Sequence, residues 1–320
     1  MDNLAHSLAG AALGQAGLKK KTGLGMATLI IAANIPDVDA LGLLVGENLA
    51  WRRGWTHGPL AWLIFPPLLV LALWAFDRWQ TDCGKRPPTR LPLNIPWMLA
   101  LAYIGILSHP LLDFLNTYGI RCLMPFSDRW FYGDAVFILD AWIWLILGLG
   151  VWLTWRREKR HRASPETPSR AALVAVAAYC LAMGTSALVA ERLAAREAAA
   201  RGWGEPHRVV ASPVPVNPFH RRLVLDFGNA YGFGDLYWLP SARVILEPDL
   251  LPTYMDDPAI ADAAAVSRQL RDFLYWSRLP FATVRREDGR VTVTIGDARY
   301  GPRPDTSRFT LTVALPGGNG

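Results

Sequence analysis

A chain of 320 residues is long enough for one large domain or two ordinary ones, and 52% of it is hydrophobic against 19% charged, with 14 Trp. Its net charge of +6 falls largely in short Lys/Arg clusters beside apolar runs, at residues 19–21, 78–90 and 156–162; this is the pattern of cytoplasmic membrane loops, and it argues against a nucleic-acid partner. The scattered cysteines Cys83, Cys122 and Cys180, with no Cys-x-x-Cys, exclude a zinc ribbon and a disulfide framework, and without a basic n-region or a small-residue cleavage site no removable signal peptide is expected.

In chain order, residues 1–195 hold nearly all the long apolar runs and read as a helical transmembrane domain. Residues 4–18 form an Ala/Gly/Leu-rich helix carrying His6, ended by Gly17 and the lysines. Residues 22–35 form a second apolar helix, stopped at Pro36. Each is shorter than the roughly 20 residues that cross a hydrocarbon core, which makes them partial spans. Residues 40–50 are apolar but short, as in an interfacial or re-entrant segment. Full spans are expected at 59–76, kinked at Pro66-Pro67, and at 95–117 with His109 and Asp113 inside it. Two more follow at 134–155, Trp-rich and containing Asp140, and at 170–190. Residues 191–206 form a charged, Ala-rich linker.

Residues 200–320 read as a soluble α+β domain. Alternating apolar and polar residues predict strands near 207–211, 221–227, 242–247, 281–286, 290–296 and 307–314. Residues 257–277 read as one amphipathic helix, and Glu287-Asp288-Gly289-Arg290 as a hairpin turn. With all three basic clusters on the cytoplasmic side, the C-terminal domain follows the last span to the outer side. At about 1.5 Å per helical residue, His6, Asp37, His57, His109 and Asp140 all reach roughly 20–30 Å from the basic ends, in the outer leaflet or just above it.

Two stretches carry the chemistry. Asn34-Ile35-Pro36-Asp37-Val38-Asp39 places two carboxylates after a helix end, where they oppose the helix dipole unless a cation is bound. Arg52 and Arg53, on the outer side against the charge trend, are candidates for an anion clamp, and Trp55-Thr56-His57 follows. Downstream, His109 and Asp113 are four residues apart on one helix face and can reach one ion. A plain His–Asp packing bond is the bland alternative, but ionisable groups inside a membrane span are costly and usually functional.

The order His6, Asn-x-Pro-Asp-x-Asp, Arg-Gly-x-Thr-His and Ser-His-x-x-x-Asp is followed by Thr117, Gly119, Pro125-Phe126-Ser127 and Phe137-Ile138-Leu139-Asp140. It resembles the YdjM-type family of bacterial inner-membrane proteins described as membrane-bound metal-dependent hydrolases. The resemblance covers residues 1–145 closely, and Pro215-Val216-Asn217-Pro218-Phe219 with Asp297-Ala298-Arg299-Tyr300 looks like the tail of many members. It implies His6, Asp37, Asp39, His57, His109 and Asp113 as metal residues. One departure is Gly58, where a Ser more usually follows the His.

The expectation is therefore a multi-pass α-helical membrane domain, in a bacterial inner membrane, with a C-terminal extracytoplasmic (periplasmic) α+β domain. Three His and three Asp suit one or two Zn²⁺ ions better than Mn²⁺ or Mg²⁺. A water activated there would attack an ester or phosphoester of a membrane lipid or lipid-linked substrate. Arg53, Thr56 and Asp140 are the candidates for catalytic roles. Because a guanidinium cannot ligate a cation, loss of Arg53 is expected to spare the metal. The rival class is non-enzymatic: a metal-stabilised membrane scaffold or a metal-ion transporter.

Overall fold

Asp2 opens the first helix, α1 (Asn3–Gln15), by accepting the free backbone N–H groups of Leu4 and Ala5. The computed structural model describes residues 1–45, 48–287, 289–304 and 309–316, and the chain divides into two compact units, Met1–Gly184 and Thr185–Gly320. After α1 come α2 (Gly25–Ala32), a 3-10 stretch over Ile35–Val45, α3 (Asn48–Trp51) and a 3-10 turn at Trp55–His57. The longer helices α4 (Pro59–Asp82), α5 (Ile95–Phe114), α6 (Ala141–Lys159) and α7 (Thr167–Ala200) complete the helical part. Of these, α4, α5 and α7 are long and apolar enough to cross a membrane.

Small residues set how closely the helices approach. A Cβ at Gly105 of α5 would lie 2.6 Å from the Ala32 Cβ and 3.0 Å from the Leu29 carbonyl oxygen, so α2 and α5 meet almost backbone to backbone. Around that contact Leu69, Val70, Leu73, Met98, Ala102 and Ile106 form one core cluster. Ala5, Ala9 and Ala12 of α1 pack with Ile143, Leu147 and Val176 in another.

The basic segments gather at one end of the first unit. Lys19 Nζ donates to Glu158 at 2.6 Å, and Lys20 lies 3.8 Å from Glu166. Beside them the Gly23 N–H donates to the Pro92 carbonyl at 3.0 Å, and the Asn94 N–H to Thr22 Oγ1 at 2.8 Å. The turn before α2, the entry to α5 and the exit of α6 are thereby tied together.

Several boundaries differ from those read in the sequence. The expected helix 22–35 is only α2, because Leu24 sits at positive φ before it and the 3-10 stretch, with Pro36 as its second residue, follows it. Residues 40–50 belong to that stretch and to α3, with residues 46 and 47 outside the described residues. Helix α4 runs through Pro66 and Pro67 to Asp82. The expected span 134–155 begins only at Ala141, since Asp140 is the N-cap of α6 and not a residue inside it. In place of a linker at 191–206, α7 continues to Ala200, as strong helix formers such as Ala, Glu and Arg favour.

In the second unit, β1 (Arg208–Pro213), β2 (His220–Asp226), β3 (Ala230–Tyr237) and β4 (Arg243–Leu246) form an antiparallel sheet in that order, with β5 (Leu251–Pro252) pairing β3. Ala190, Ala194 and Ala198, one helical turn apart on α7, pack against Leu223, Leu225 and Leu236 of this sheet. The expected helix 257–277 is two helices, α8 (Pro258–Val266) and α9 (Arg268–Trp276). They part at Ser267, whose extended backbone ends one while its side chain caps the next. A second antiparallel sheet follows, β6 (Pro280–Glu287), β7 (Arg290–Asp297) and β8 (Thr310–Pro316). Glu287 pairs with Arg290 across the expected hairpin turn, of which Asp288 lies outside the described residues.

Candidate metal centre

Each polar residue of the site enters from a different piece of backbone. His6 comes from α1, Asp37 and Asp39 from the 3-10 stretch after α2, and Arg53 from the turn after α3. His57 ends the 3-10 turn before α4, and His109 and Asp113 stand one turn apart on α5. Gly58 is required where it stands, because a Cβ there would fall 2.1 Å from the Met124 carbonyl oxygen.

The distances are those of a ligand shell. His57 Nε2 lies 3.1 Å from His109 Nε2, and the two atoms are 3.3 and 3.4 Å from Asp113 Oδ2. Tetrahedral bonds of about 2.0–2.1 Å would hold neighbouring ligand atoms about 3.3 Å apart. Asp37 Oδ1 stands 3.9 Å from His109 Nε2, and ligand atoms of Asp37, His57, His109 and Asp113 all lie within 4.8 Å of one another. His57, His109 and Asp113 are completely buried, and Asp37 is 7% exposed.

The supporting hydrogen bonds hold both rings, and for His109 they aim a lone pair inward. His109 Nδ1 donates to the Ala33 carbonyl at 2.7 Å. A carbonyl can only accept, so Nδ1 carries the proton and Nε2 offers its lone pair to the centre. His57 Nδ1 is held by Thr56 Oγ1 at 2.9 Å, with Asp39 Oδ2 3.5 Å away. Asp113 Oδ2 and Asp37 Oδ2 are buried with no hydrogen-bond partner. Buried polar atoms are almost always satisfied, so orphaned carboxylate oxygens beside two imidazole nitrogens fit a bound cation. This cluster can hold a metal ion.

His6 and Asp39 stand just outside the four. His6 stacks on His109 with ring centroids 3.7 Å apart and places Nε2 3.4 Å from Asp113 Oδ1. Both its ring nitrogens are buried without a hydrogen-bond partner. Asp39 accepts from the Arg53 backbone N–H at 2.6 Å and from Arg52 Nη1.

The two arginines differ in burial and in the partners they meet. Arg53 is 1% exposed, and its guanidinium faces inward. Nη2 lies 3.2 Å from Asp113 Oδ1, and Nη1 donates to Asn116 Oδ1 at 3.0 Å and to the Gly119 carbonyl at 3.1 Å. The Tyr118 ring lies 4.8 Å from its Cζ. The Arg53 guanidinium is thus engaged by Asp113, Asn116 and the Gly119 carbonyl. The Met1 amine also rests on Asp113 Oδ1. Arg52, whose side chain is 21% exposed, sits at the rim with Nη1 3.0 Å from Asp37 Oδ1. Thr56 is a positioning residue for His57. Asp140 caps α6 through the Trp142 and Ile143 N–H groups and accepts from Tyr179 Oη at 3.1 Å, which gives its carboxylate a structural task.

Asn116 escaped the sequence reading. It is completely buried, and its Oδ1 accepts from Arg53 Nη1 and from the Tyr118 N–H. Its place three residues after Asp113, just past the helix end, was the available signal. Comparison with known proteins matches the chain to the family described as YdjM inner membrane protein, over residues 1–190. No curated protein and no solved structure matches the chain.

Proposed function

The chain belongs to the YdjM inner membrane protein family, and from that membership and the geometry of the buried cluster we propose a membrane-bound, metal-dependent hydrolase. Its substrate class is an ester or phosphoester of a lipid or lipid-linked molecule in the outer leaflet. The observation that carries this reading is the meeting of His57 Nε2, His109 Nε2 and Asp113 Oδ2 at 3.1–3.4 Å, with the carboxylate oxygen otherwise unpartnered. Two imidazoles and two carboxylates suit Zn²⁺ best among divalent ions. When bound, such an ion supplies Lewis acidity and makes water a nucleophile near neutral pH.

The chain's own residues do the rest. Ala33 and Thr56 fix the two imidazole rings, and Arg53 holds Asp113 by one oxygen so that the other stays turned to the centre. Arg52, at the rim beside Asp37, is placed to receive a phosphate oxygen. His6, with both ring nitrogens free of hydrogen bonds, is the group available for a further ligand bond or for proton transfer.

In the membrane, α4, α5, α6 and α7 would cross, with α1 and α2 entering part-way. The meeting of the segments around Lys19, Pro92 and Glu158 at one end supports a cytoplasmic placement of that end. The metal centre and the C-terminal unit would then lie on the periplasmic side. The complete burial of His57, His109 and Asp113 favours one other reading, a metal that staples the helices without catalysis. Purified protein in detergent should contain about one Zn²⁺ per chain and cleave a member of a phospholipid panel, with both properties lost in His109→Ala. Metal without turnover on any ester or phosphoester would select the staple; absence of metal would overturn both.

A further inference from the structure

One cavity of the first unit opens directly onto a residue of the metal centre. It has a volume of about 570 Å³ and is lined by Ile30, Ile31, Ile35, Val38 and Phe65, with Asn3, Asn34 and Asp37 as its polar wall. The volume falls in the range of small-molecule sites. Asp37 is nine-tenths buried, its Oδ2 has no hydrogen-bond partner, and its Oδ1 faces His109 Nε2 at 3.9 Å. Beside the cavity, Arg52 Nη1 bridges Asp37, at 3.0 Å, and Asp39, so a guanidinium stands between two carboxylates at that end. The apolar wall is contributed partly by α4, one of the helices apolar enough to cross a membrane.

A groove that is apolar along its length, with carboxylates bridged by a guanidinium at one end, matches an amphiphile with one apolar chain and a polar head. We propose that it seats an acyl chain of a membrane glycerophospholipid, with the ester or phosphoester end at Asp37 and Arg52. This rests on the hydrolase reading for its consequence and deepens it: the substrate is admitted sideways from the bilayer, and chain length is sensed by Ile31, Val38 and Phe65. Ile31 and Val38 are 41% and 45% exposed, so larger side chains there can fill the groove without entering the core.

The test uses the full chain in phosphatidylglycerol nanodiscs doped with a phosphatidylglycerol that bears a diazirine on its acyl chain. After illumination, mass spectrometry should find label on residues 30–38 and on Phe65 several-fold above that on other exposed apolar positions, such as Leu71 and Leu145. Ile31→Trp and Val38→Trp should each lower that label several-fold with metal content unchanged. Even labelling over all apolar positions, or label insensitive to both Trp variants, overturns the groove. Stronger competition by an isoprenyl phosphate than by phospholipid overturns the acyl chain as its occupant. Selective labelling without cleavage of the same lipid would sink the hydrolase reading and leave the groove standing. Cleavage of a short-chain soluble ester alongside even labelling would do the reverse.

Discussion

Replacing Arg53 by Met, which keeps the length of the side chain and removes its charge, tests whether this residue serves the metal centre or the substrate. The buried guanidinium makes three polar contacts, to Asp113 Oδ1 at 3.2 Å, Asn116 Oδ1 at 3.0 Å and the Gly119 carbonyl at 3.1 Å. Charge-assisted bonds contribute about 1.5–3 kcal/mol each, and relief from desolvating the guanidinium offsets part of that. Breaking a buried pair by removing one partner leaves a net loss of about 3–5 kcal/mol. Freed from Arg53, Asp113 is no longer locked with Oδ2 toward the imidazoles, and loss of such support lowers metal affinity about 10–100-fold. Chelator-competition titration and thermal unfolding of the purified variant read both effects. Arg52→Met, at the rim with a side chain 21% exposed but with buried partners in Asp37 and Asp39, should cost about 1–3 kcal/mol and leave the metal in place while turnover of phosphate-bearing lipids falls. Wild-type metal affinity and stability in Arg53→Met, with only turnover reduced, would refute the positioning role and restore the anion clamp.

Asp113→Asn removes the carboxylate that approaches both imidazoles, so metal should leave while circular dichroism stays helical; an undiminished zinc content would rule out the ligand set drawn above. A periplasm-active reporter fused after Gly320 should work and a cytoplasm-active one should be silent, and the opposite result would invert the orientation of the metal centre. Burial alone would raise the Asp297 carboxyl, but Arg299 at 2.7 Å and Ser277 at 2.7 Å outweigh it and hold the group below its ordinary 3.8. That stability is fully present above the unfolded value and is lost as pH falls through the lower folded one. Melting temperature of the full chain should therefore drop with acid below about pH 4, and the acid drop should be shallower in Asp297→Asn; identical profiles would show that the pair does not contribute.

The sequence was most informative where a residue type is costly in its setting. His109, Asp113 and His57 were legible because ionisable groups next to apolar runs need a reason, and the structure brings their ligand atoms within 4.8 Å. Distinctions that depend on side-chain direction were not legible. Arg52 and Arg53 are neighbours in sequence, yet one points to the rim and the other into the core. Positive φ at Arg53 turns the backbone between them, and nothing in residue type announces it. Asp140 was misplaced for a related reason: a carboxylate before an apolar run reads alike as an intramembrane charge or as an N-cap, and capping wins. The strand Ala230–Tyr237 was missed because its glycines break the alternation, although one of them, Gly234, sits where a Cβ would fall 2.5 Å from the Ile245 carbonyl.

The same contacts explain why so polar a cluster sits where the helices are shortest. Between α1 and α4 the described elements are a 4-residue 3-10 turn at Leu18–Lys21, α2 with 8 residues, an 11-residue 3-10 stretch, the 4-residue α3 and a 3-residue turn. Helices of this length are marginal on their own, and 3-10 runs beyond about four residues are unusual. What holds them is the set of long-range bonds made by their polar residues: Asp37 and Asp39 to Arg52, the Arg53 N–H to Asp39, and the Arg53 guanidinium to Asp113 and Asn116. His57 and His109 then face one another across 52 residues of sequence. An ion bound by His57, His109, Asp37 and Asp113 would close loops of about 20 and 50 residues, and closing loops of that length removes entropy from the unfolded chain. With an ion bound, the irregular backbone of this region and the candidate cluster would act as one structural device, in which the ligands order the segments that present them.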